Sequence, residues 1–403
     1  MEYIDDYEGP IKIQRIVHLA KVSGNEEVVE TAIKLVMKET SNVALYEDLI
    51  AYMSTLNPAK AQSLADEGWV ENTEANNRKF EQSWAQGLSD LAYLSANDIA
   101  QAYKKYTEHF ISTGEFKTAQ RYASRSQDRG SGHLNQEIGY TLRTSWLAVL
   151  DQSWAYGRTL ASKLYLSEER TDSIEYTKLG IILGVAMMAT KEYANATAVF
   201  LTLDSLAGQS GPSDLASASD VGIYVALTAL ATLPRGQLQY MAQKDPVFTA
   251  LTKGRAKWAR TLVSAFVNAQ YNQLFDVWAQ HEQEMEADPF IHRVIKDIYA
   301  QLRTRVLHQY INVFSQVGMS QMAREFRVSE KELVRELLES QTDAVIVDYK
   351  NGVIQANKKD GLQSVVDKTK KLSQDFCTNA SVVLWSLEAR GPVSQGHRDH
   401  RLL

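Results

Sequence analysis

The chain has 403 residues, a formal net charge of -6, and a composition that is 44% hydrophobic and 23% charged. That length suggests roughly two or three structural units, and the balance excludes both a disordered chain and a polybasic footprint for nucleic acid. A single cysteine, Cys377, excludes an internal disulfide framework and fits a reducing compartment, cytoplasm or nucleus.

Seven prolines and few alternating β-branched runs before position 344 predict a mainly α chain. The N-terminus lacks a basic region followed by an apolar run, so no secretory signal is expected. Pro10 to Ala20 and Glu26 to Lys38 predict two amphipathic helices separated by Ser23-Gly24-Asn25. A repeat follows. Phe116, Ala119 and Ala123 have a large-small-small spacing that recurs at Trp154, Gly157 and Ala161, and the same register returns at Tyr193, Ala196 and Phe200, with phenylalanine in the last position. A period of this size, with two helices per unit, marks a tetratricopeptide-like solenoid, whose small residues let neighbouring helices approach. The alternative is a set of helical hairpins of similar length without a common superhelix.

Ala207 to Ser213 concentrates loop formers and is the expected boundary after the repeats. Leu179 to Ala189 and Val221 to Leu233 are the longest apolar stretches. Both are shorter than the ~20 residues of a spanning helix, so they read as core and no membrane is expected. Helices are predicted over Asp220 to Thr232, Arg255 to Asn268, Asn272 to Glu284 and Phe290 to Val317, the last ended by Gly318.

Residues 303–356 then carry the layout of a winged helix. Met322, Ala323 and Phe326 mark a short second helix, and Ser329 with Glu332 forms a capping box for a third. Leu333, Val334, Leu337 and Leu338 are expected to face inward. Val345, Ile346 and Val347 form a strand, and Asn351-Gly352 supplies the positive φ angles of a tight hairpin into Val353 and Ile354. A winged helix commonly reads DNA, but this third helix carries Glu330, Glu332, Glu336 and Glu339 against Lys331 and Arg335, which would repel phosphate. Lys350, Lys358, Lys359, Lys368, Lys370 and Lys371 are interleaved with Asp348, Asp360 and Asp367 and read as a solvated face. From Asp360 to Arg390, Leu362, Val366, Leu372, Phe376, Ala380, Val383 and Leu387 line an apolar helical stripe. It either packs on its own domain or joins helices of partner chains.

We divide the chain into a helical lead-in (1–100), helical repeats (101–210), a helical region ending in the winged helix (211–359, winged helix at about 303–356), and a terminal helix with a polar tail (360–403). No catalytic constellation is visible. His281-Glu282 begins a zincin-like pattern, but Met285 stands where the second ligand is needed. His397-Arg398-Asp399 begins a kinase-like loop with no metal-binding segment behind it. Gly208 to Gly211 is no nucleophile elbow, and His18, His109 and His308 read as structural. No cofactor or metal site is expected.

Repeats, winged helix and closing helix in this order resemble the PCI-domain family of large regulatory complexes, which includes the proteasome lid, the COP9 signalosome and translation initiation factor three. Three segments are similar to the signalosome branch: Tyr7-Glu8-Gly9 with Ile13, Arg15, Ile16 and Ala20; Ser219 to Tyr224 with Ala229 to Arg235; and Arg305 to Tyr310 ahead of Met322-Ala323. Pro234 departs from the aspartate usual before Arg235, and the glycine usual between the third helix and the wing is missing from Leu337 to Asp348. The resemblance implies a PCI domain over 211–359 and a non-enzymatic scaffold in the cytoplasm and nucleus. Its partners would be other PCI subunits of the signalosome and, through them, cullin-RING ligases whose Nedd8 is removed by another subunit. The residues expected to meet partners are Val345, Ile346, Val347, Val353 and Ile354 on strand edges, and Leu362, Val366, Leu372, Phe376, Val383 and Leu387 on the closing helix. A proteasome lid subunit and a winged-helix nucleic-acid regulator are the alternatives.

Overall fold

A computed structural model describes residues 2–90, 95–127, 134–165, 174–203, 206, 213–314, 316–339, 345–356, 369–370 and 372–373. The chain divides into two compact units, residues 1–306 and 307–403.

The first unit opens with α1 (Glu2–Asp5), α2 (Gly9–Ser23), α3 (Glu26–Glu39), α4 (Val43–Leu56), α5 (Pro58–Leu64) and α6 (Glu67–Asp90). The stop between α2 and α3 is as the sequence predicts: Gly24 takes a left-handed φ of 60°, and the Asn25 side chain caps the next helix at the Glu27 amide. Ile16, Ala20, Val29, Ile33, Val36, Leu49 and Met53 form the core of this region.

Three helical hairpins follow: α7 (Ala96–Ser112) with α8 (Phe116–Gln127), α9 (Leu134–Leu150) with α10 (Trp154–Tyr165), and α11 (Ile174–Ala189) with α12 (Tyr193–Phe200). The repeat read from sequence is real in register. Phe116, Trp154 and Tyr193 are each the first residue of the second helix, and Ala119, Ala161 and Ala196 are fully buried. Each turn is built the same way. Gly114, Gln152 and Lys191 have positive φ, their amides reach back three residues, and the next amide reaches back five, as Ser153 to Ala148 O. This is the Schellman closure, which satisfies the last carbonyls of the first helix. A fourth copy closes a later hairpin, where Ala269 (φ 57°) precedes Tyr271 and the Gln270 amide reaches Ala265 O.

That later region contains α13 (Ala218–Thr232), α14 (Arg235–Lys244), α15 (Pro246–Leu251), α16 (Lys257–Val267), α17 (Tyr271–Ala287), α18 (Pro289–His292) and α19 (Ile295–Val313). α13 is buried on every side, and Gly222 lies so close to α15 that a Cβ would stand 2.5 Å from the Leu251 carbonyl oxygen. The single helix expected over Phe290 to Val317 is corrected by the structure. Pro289 starts a short helix, capped by Asp288, and the long helix begins at Ile295 and ends at Val313.

The division between units falls within α19. In the second unit, residues assigned from sequence to the end of that helix instead form β1 (Gln316–Gly318). It is followed by α20 (Met319–Glu325), α21 (Glu330–Glu339), β2 (Val345–Asp348) and β3 (Val353–Ala356). The sheet order is β1-β3-β2, all antiparallel, with Val317 opposite Ile354 and Val347 opposite Ile354 from the other side. The expected capping box forms: the Ser329 amide donates to Glu332 Oε2 at 3.1 Å and the Glu332 amide to Ser329 Oγ at 3.3 Å. Leu333, Val334 and Leu337 are buried, but Leu338, expected inside, is 66% exposed. The wing turn also differs from expectation. It is a four-residue turn, Tyr349 to Gly352, in which only Gly352 has positive φ, and the Asp348 carboxylate accepts from the Lys350 and Asn351 amides. The boundary stretch Ala207 to Pro212 lies outside the described residues, as does almost all of the expected terminal helix and tail.

Candidate functional site

The sequence-predicted partner residues divide by position in the sheet. Val353 and Ile354 were expected on an edge, but β3 is the middle strand and Ile354 is fully buried. A middle strand has its backbone groups engaged on both sides, so both residues serve the module's own sheet, and Ile354 its core. Val345, Ile346 and Val347 lie on β2, which among the described residues pairs on one side only. Ile346 is 50% exposed and Tyr349, just beyond, is exposed as well. Asp348, at the tip, is held below the usual carboxylate range by hydrogen bonds from the Asn351 side chain and the two turn amides. Its charge keeps the end of the edge polar. On the closing stripe, Leu372 lies in a helical stretch and is 72% exposed. Leu362, Val366, Phe376, Val383 and Leu387 lie outside the described residues.

In the first unit, the structure brings together residues that sequence reasoning had treated as separate segments. Arg15 of α2 is fully buried. Its Nη1 donates to Asp288 Oδ2 at 2.7 Å, and its Nη2 reaches Tyr224 Oη at 3.2 Å, Asp220 Oδ2 at 3.4 Å and the Leu215 carbonyl at 3.4 Å. Tyr7 lies over the guanidinium at 4.1 Å and donates its hydroxyl to Asp220, while Tyr224 donates to Asp288 at 2.7 Å. Asp220 also closes the capping box of α13 with Ser217 and accepts from Arg255. Asp288 Oδ1 takes the Phe290 and Ile291 amides at the start of α18. Burial pushes the Asp288 carboxyl up, but the Arg15 charge and the bonds from Tyr224, Arg15 and Ile291 outweigh it and hold the group below its ordinary value.

The same helix is pinned elsewhere. Gln14 Nε2 donates to the Leu150 carbonyl at the end of α9, and His18 Nε2 bonds the Glu286 carbonyl at 2.9 Å. A backbone clip joins Asp6 and Glu8 to Ser213. Arginines close three helix ends: Arg305 reaches the carbonyls of Ala229, Leu230 and Leu233 past α13, Arg235 that of Val267, and Arg260 that of Ala242. Cations at helix C-termini satisfy orphan carbonyls and oppose the negative end of the dipole. The three resembling segments are therefore contact partners. The first meets the second through Arg15, Tyr7, Asp220 and Tyr224, and Arg305 of the third caps the end of the second.

A signal for this network was present in the sequence. Arg15 shares an apolar face with Ile11 and Leu19, and Asp220 opens an apolar run, positions where a charge must find a partner.

A cavity of about 310 Å³ adjoins the network, lined in part by Asp220, Arg255, Trp258, Glu284 and Asp288. Its carboxylates are committed to arginines, and no nucleophile faces it. Among the described residues no group of three or more His, Cys, Asp or Glu is placed to hold a metal ion, and no helix is long and apolar enough to cross a membrane. His281 stacks on Trp258 at 4.4 Å and bonds Glu284, so the zincin-like start is used in packing.

Helical repeats followed by a winged helix with a three-stranded sheet define a PCI-domain architecture, and family comparisons agree. Residues 66–240 match the 26S proteasome subunit RPN7 family and residues 278–346 the PCI domain family. Within that class the chain resembles COP9 signalosome complex subunit 1. It is 22% identical to that subunit from Neurospora crassa over 401 residues, covering 96% of this chain and 91% of the relative, and 25% identical to that from Schizosaccharomyces pombe over 346 residues, covering 84% and 78%. It is also 22% identical to the 26S proteasome non-ATPase regulatory subunit 6 homolog of Arabidopsis thaliana over 343 residues, 83% of this chain and 84% of that one.

Proposed function

We propose that this chain is a non-catalytic scaffold subunit of a COP9 signalosome, which supports removal of Nedd8 from cullin-RING ligases by holding other PCI subunits together. The observation that carries the reading is the edge strand Val345–Asp348, paired on one side among the described residues, with half-exposed Ile346 at its centre. An exposed edge adds a neighbour's strand through main-chain hydrogen bonds, the mode by which sheets extend between chains. The acidic third helix favours protein over nucleic acid as the partner. The closing helix, including exposed Leu372, belongs to the same proposal, as does action in cytoplasm and nucleus, which suits a chain with one cysteine. Similarity to the Neurospora crassa signalosome subunit covers 96% of the chain, against 83% for the Arabidopsis thaliana proteasome subunit, which supports the signalosome over the lid.

The test is co-purification of the tagged full chain from its own cells with its neighbours identified by mass spectrometry. Ile346→Pro, and separately Val345→Pro with Val347→Pro, block the two alternating sets of β2 amides; one set faces the neighbour. Expected is loss of PCI partners in at least one variant, and with Ile346→Asp a weaker loss, while the melting of the first unit stays unchanged. Full assembly in all three variants would falsify the edge-pairing role, and recovery of lid subunits would move the chain to the proteasome.

A further inference from the structure

A second surface, independent of the wing, lies among α6, α7 and α8. Trp84, Phe110 and Tyr122 contribute one side chain from each helix, with Trp84 edge-on to Phe110 at 5.7 Å and to Tyr122 at 5.8 Å, and Phe110 stacked on Tyr122 at 5.5 Å. Trp84 is half-buried, and Phe110 and Tyr122 are buried behind it, beside an open groove of about 390 Å³. Its rim is charged and polarised. Arg121 and Arg125, one helical turn apart and exposed, stand toward the end of α8, with Arg125 over the Tyr122 ring at 5.8 Å. Glu115 sits just before the start of α8, and Glu81 lies at the same end, beside Phe80, which stacks at 3.8 Å on His109 in the last turn of α7. Arg121 lies six positions and Arg125 ten positions beyond Glu115, so along the helix axis the basic residues stand roughly 9 Å and, at the far end, roughly 15 Å from it.

An extended peptide spans that distance with about five residues. Aromatic floors with arginine at the margin are where binding energy concentrates in protein recognition. The two glutamates argue against a nucleic-acid strand, whose phosphates would meet repulsion at one end. We propose that this groove binds an extended peptide segment of a partner protein, with acidic residues against Arg121 and Arg125, an aromatic side chain against half-buried Trp84, and a basic residue against Glu81 and Glu115.

The experiment uses the full chain and a fluorescein-labelled probe peptide, Asp-Asp-Gly-Phe-Gly-Lys-Lys, by fluorescence anisotropy at about 50 mM salt, where charge pairing is weakly screened. The expected result is saturable binding that weakens roughly tenfold in the Arg121→Glu, Arg125→Glu double variant. A probe with Ser in place of Phe should bind worse, and the all-basic probe Lys-Lys-Gly-Phe-Gly-Lys-Lys should bind the double variant, whose rim is then acidic at both ends, better than the unmodified chain. These substitutions are at exposed positions, and an unchanged melting temperature confirms folding. Co-purification with PCI partners is expected to persist in the double variant, which separates failure here from failure of the scaffold reading. No binding at millimolar probe, equal binding of the all-basic and the mixed-charge probe to the unmodified chain, or preferential binding of a single-stranded oligonucleotide would overturn the proposal.

Discussion

The Arg15 network and the wing sheet handle polar groups in opposite ways. In the first, two carboxylates, two tyrosines and a guanidinium meet without water access and hydrogen-bond one another. In the second, the outer side of β2 has no strand beside it among the described residues. A closed polar network fixes which helices meet, because any other arrangement leaves a charge buried and unpaired. An open edge contributes little to its own fold and has its hydrogen-bonding capacity available for another chain.

The largest effect that could break this contrast is removal of Arg15. Arg15→Leu leaves Asp288 buried with its counter-charge gone and Asp220 with Arg255 alone, and a loss of about 3 to 5 kcal/mol is expected in urea unfolding of the first unit. Adding Asp288→Asn should recover part of it. If Arg15→Leu is neutral, the network is not what holds α2 in place. Next is Arg305→Ala, which uncaps the end of α13. Losing charge-assisted bonds to three carbonyls is expected to cost about 1.5 to 3 kcal/mol in the same measurement.

Acid sharpens the comparison further. Burial lowers His18, His109 and His308 below their ordinary value of 6.5. Between the folded and unfolded values the unfolded chain binds more protons, so their stabilising contribution is complete above the unfolded value and is lost as pH falls through the window below it. Asp288, whose pKa is also lowered, adds a second loss only in stronger acid, below 3.8. Melting temperature should therefore fall from pH 7 to pH 5, and His18→Gln or His109→Gln should flatten the fall. The smallest effect concerns the turns. Gln152, Lys191 and Ala269 hold left-handed φ without being glycine, so each replaced by glycine should gain up to ~1 kcal/mol, visible as a small rise in melting temperature.

How much of this was legible depends on whether the signal was local. The repeat register was, because Phe116, Trp154 and Tyr193 must open helices whose small residues meet a neighbour. The fourth turn escaped notice because Leu274 and Trp278 replace the small residues after Tyr271. β1 was missed because Gln316-Val317-Gly318 is too short to show alternation and continues an apolar helical face. Leu338 was misplaced because an apolar residue on a helix states a preference for burial and does not guarantee a cover. The edge role assigned to Val353 and Ile354 failed for the same reason as β1: without the third strand, β3 looks like an edge. In the Arg15 network Asp220, Tyr224 and Asp288 each lie more than 200 residues after Arg15, and no window of sequence contains the match.

That separation also sets a timetable. Asp288 lies 273 residues after Arg15, and chains are made at about 5 to 20 residues per second, so α2 waits roughly 15 to 50 s for its partner to exist. Over that interval its apolar face and its guanidinium are presented to the cell without their final cover. The N-terminal helices are thus the first part of this protein to be synthesised and among the last to be locked. A ribosome stalled before residue 288 should yield a chain in which the hairpin repeats resist protease while α2 is cut.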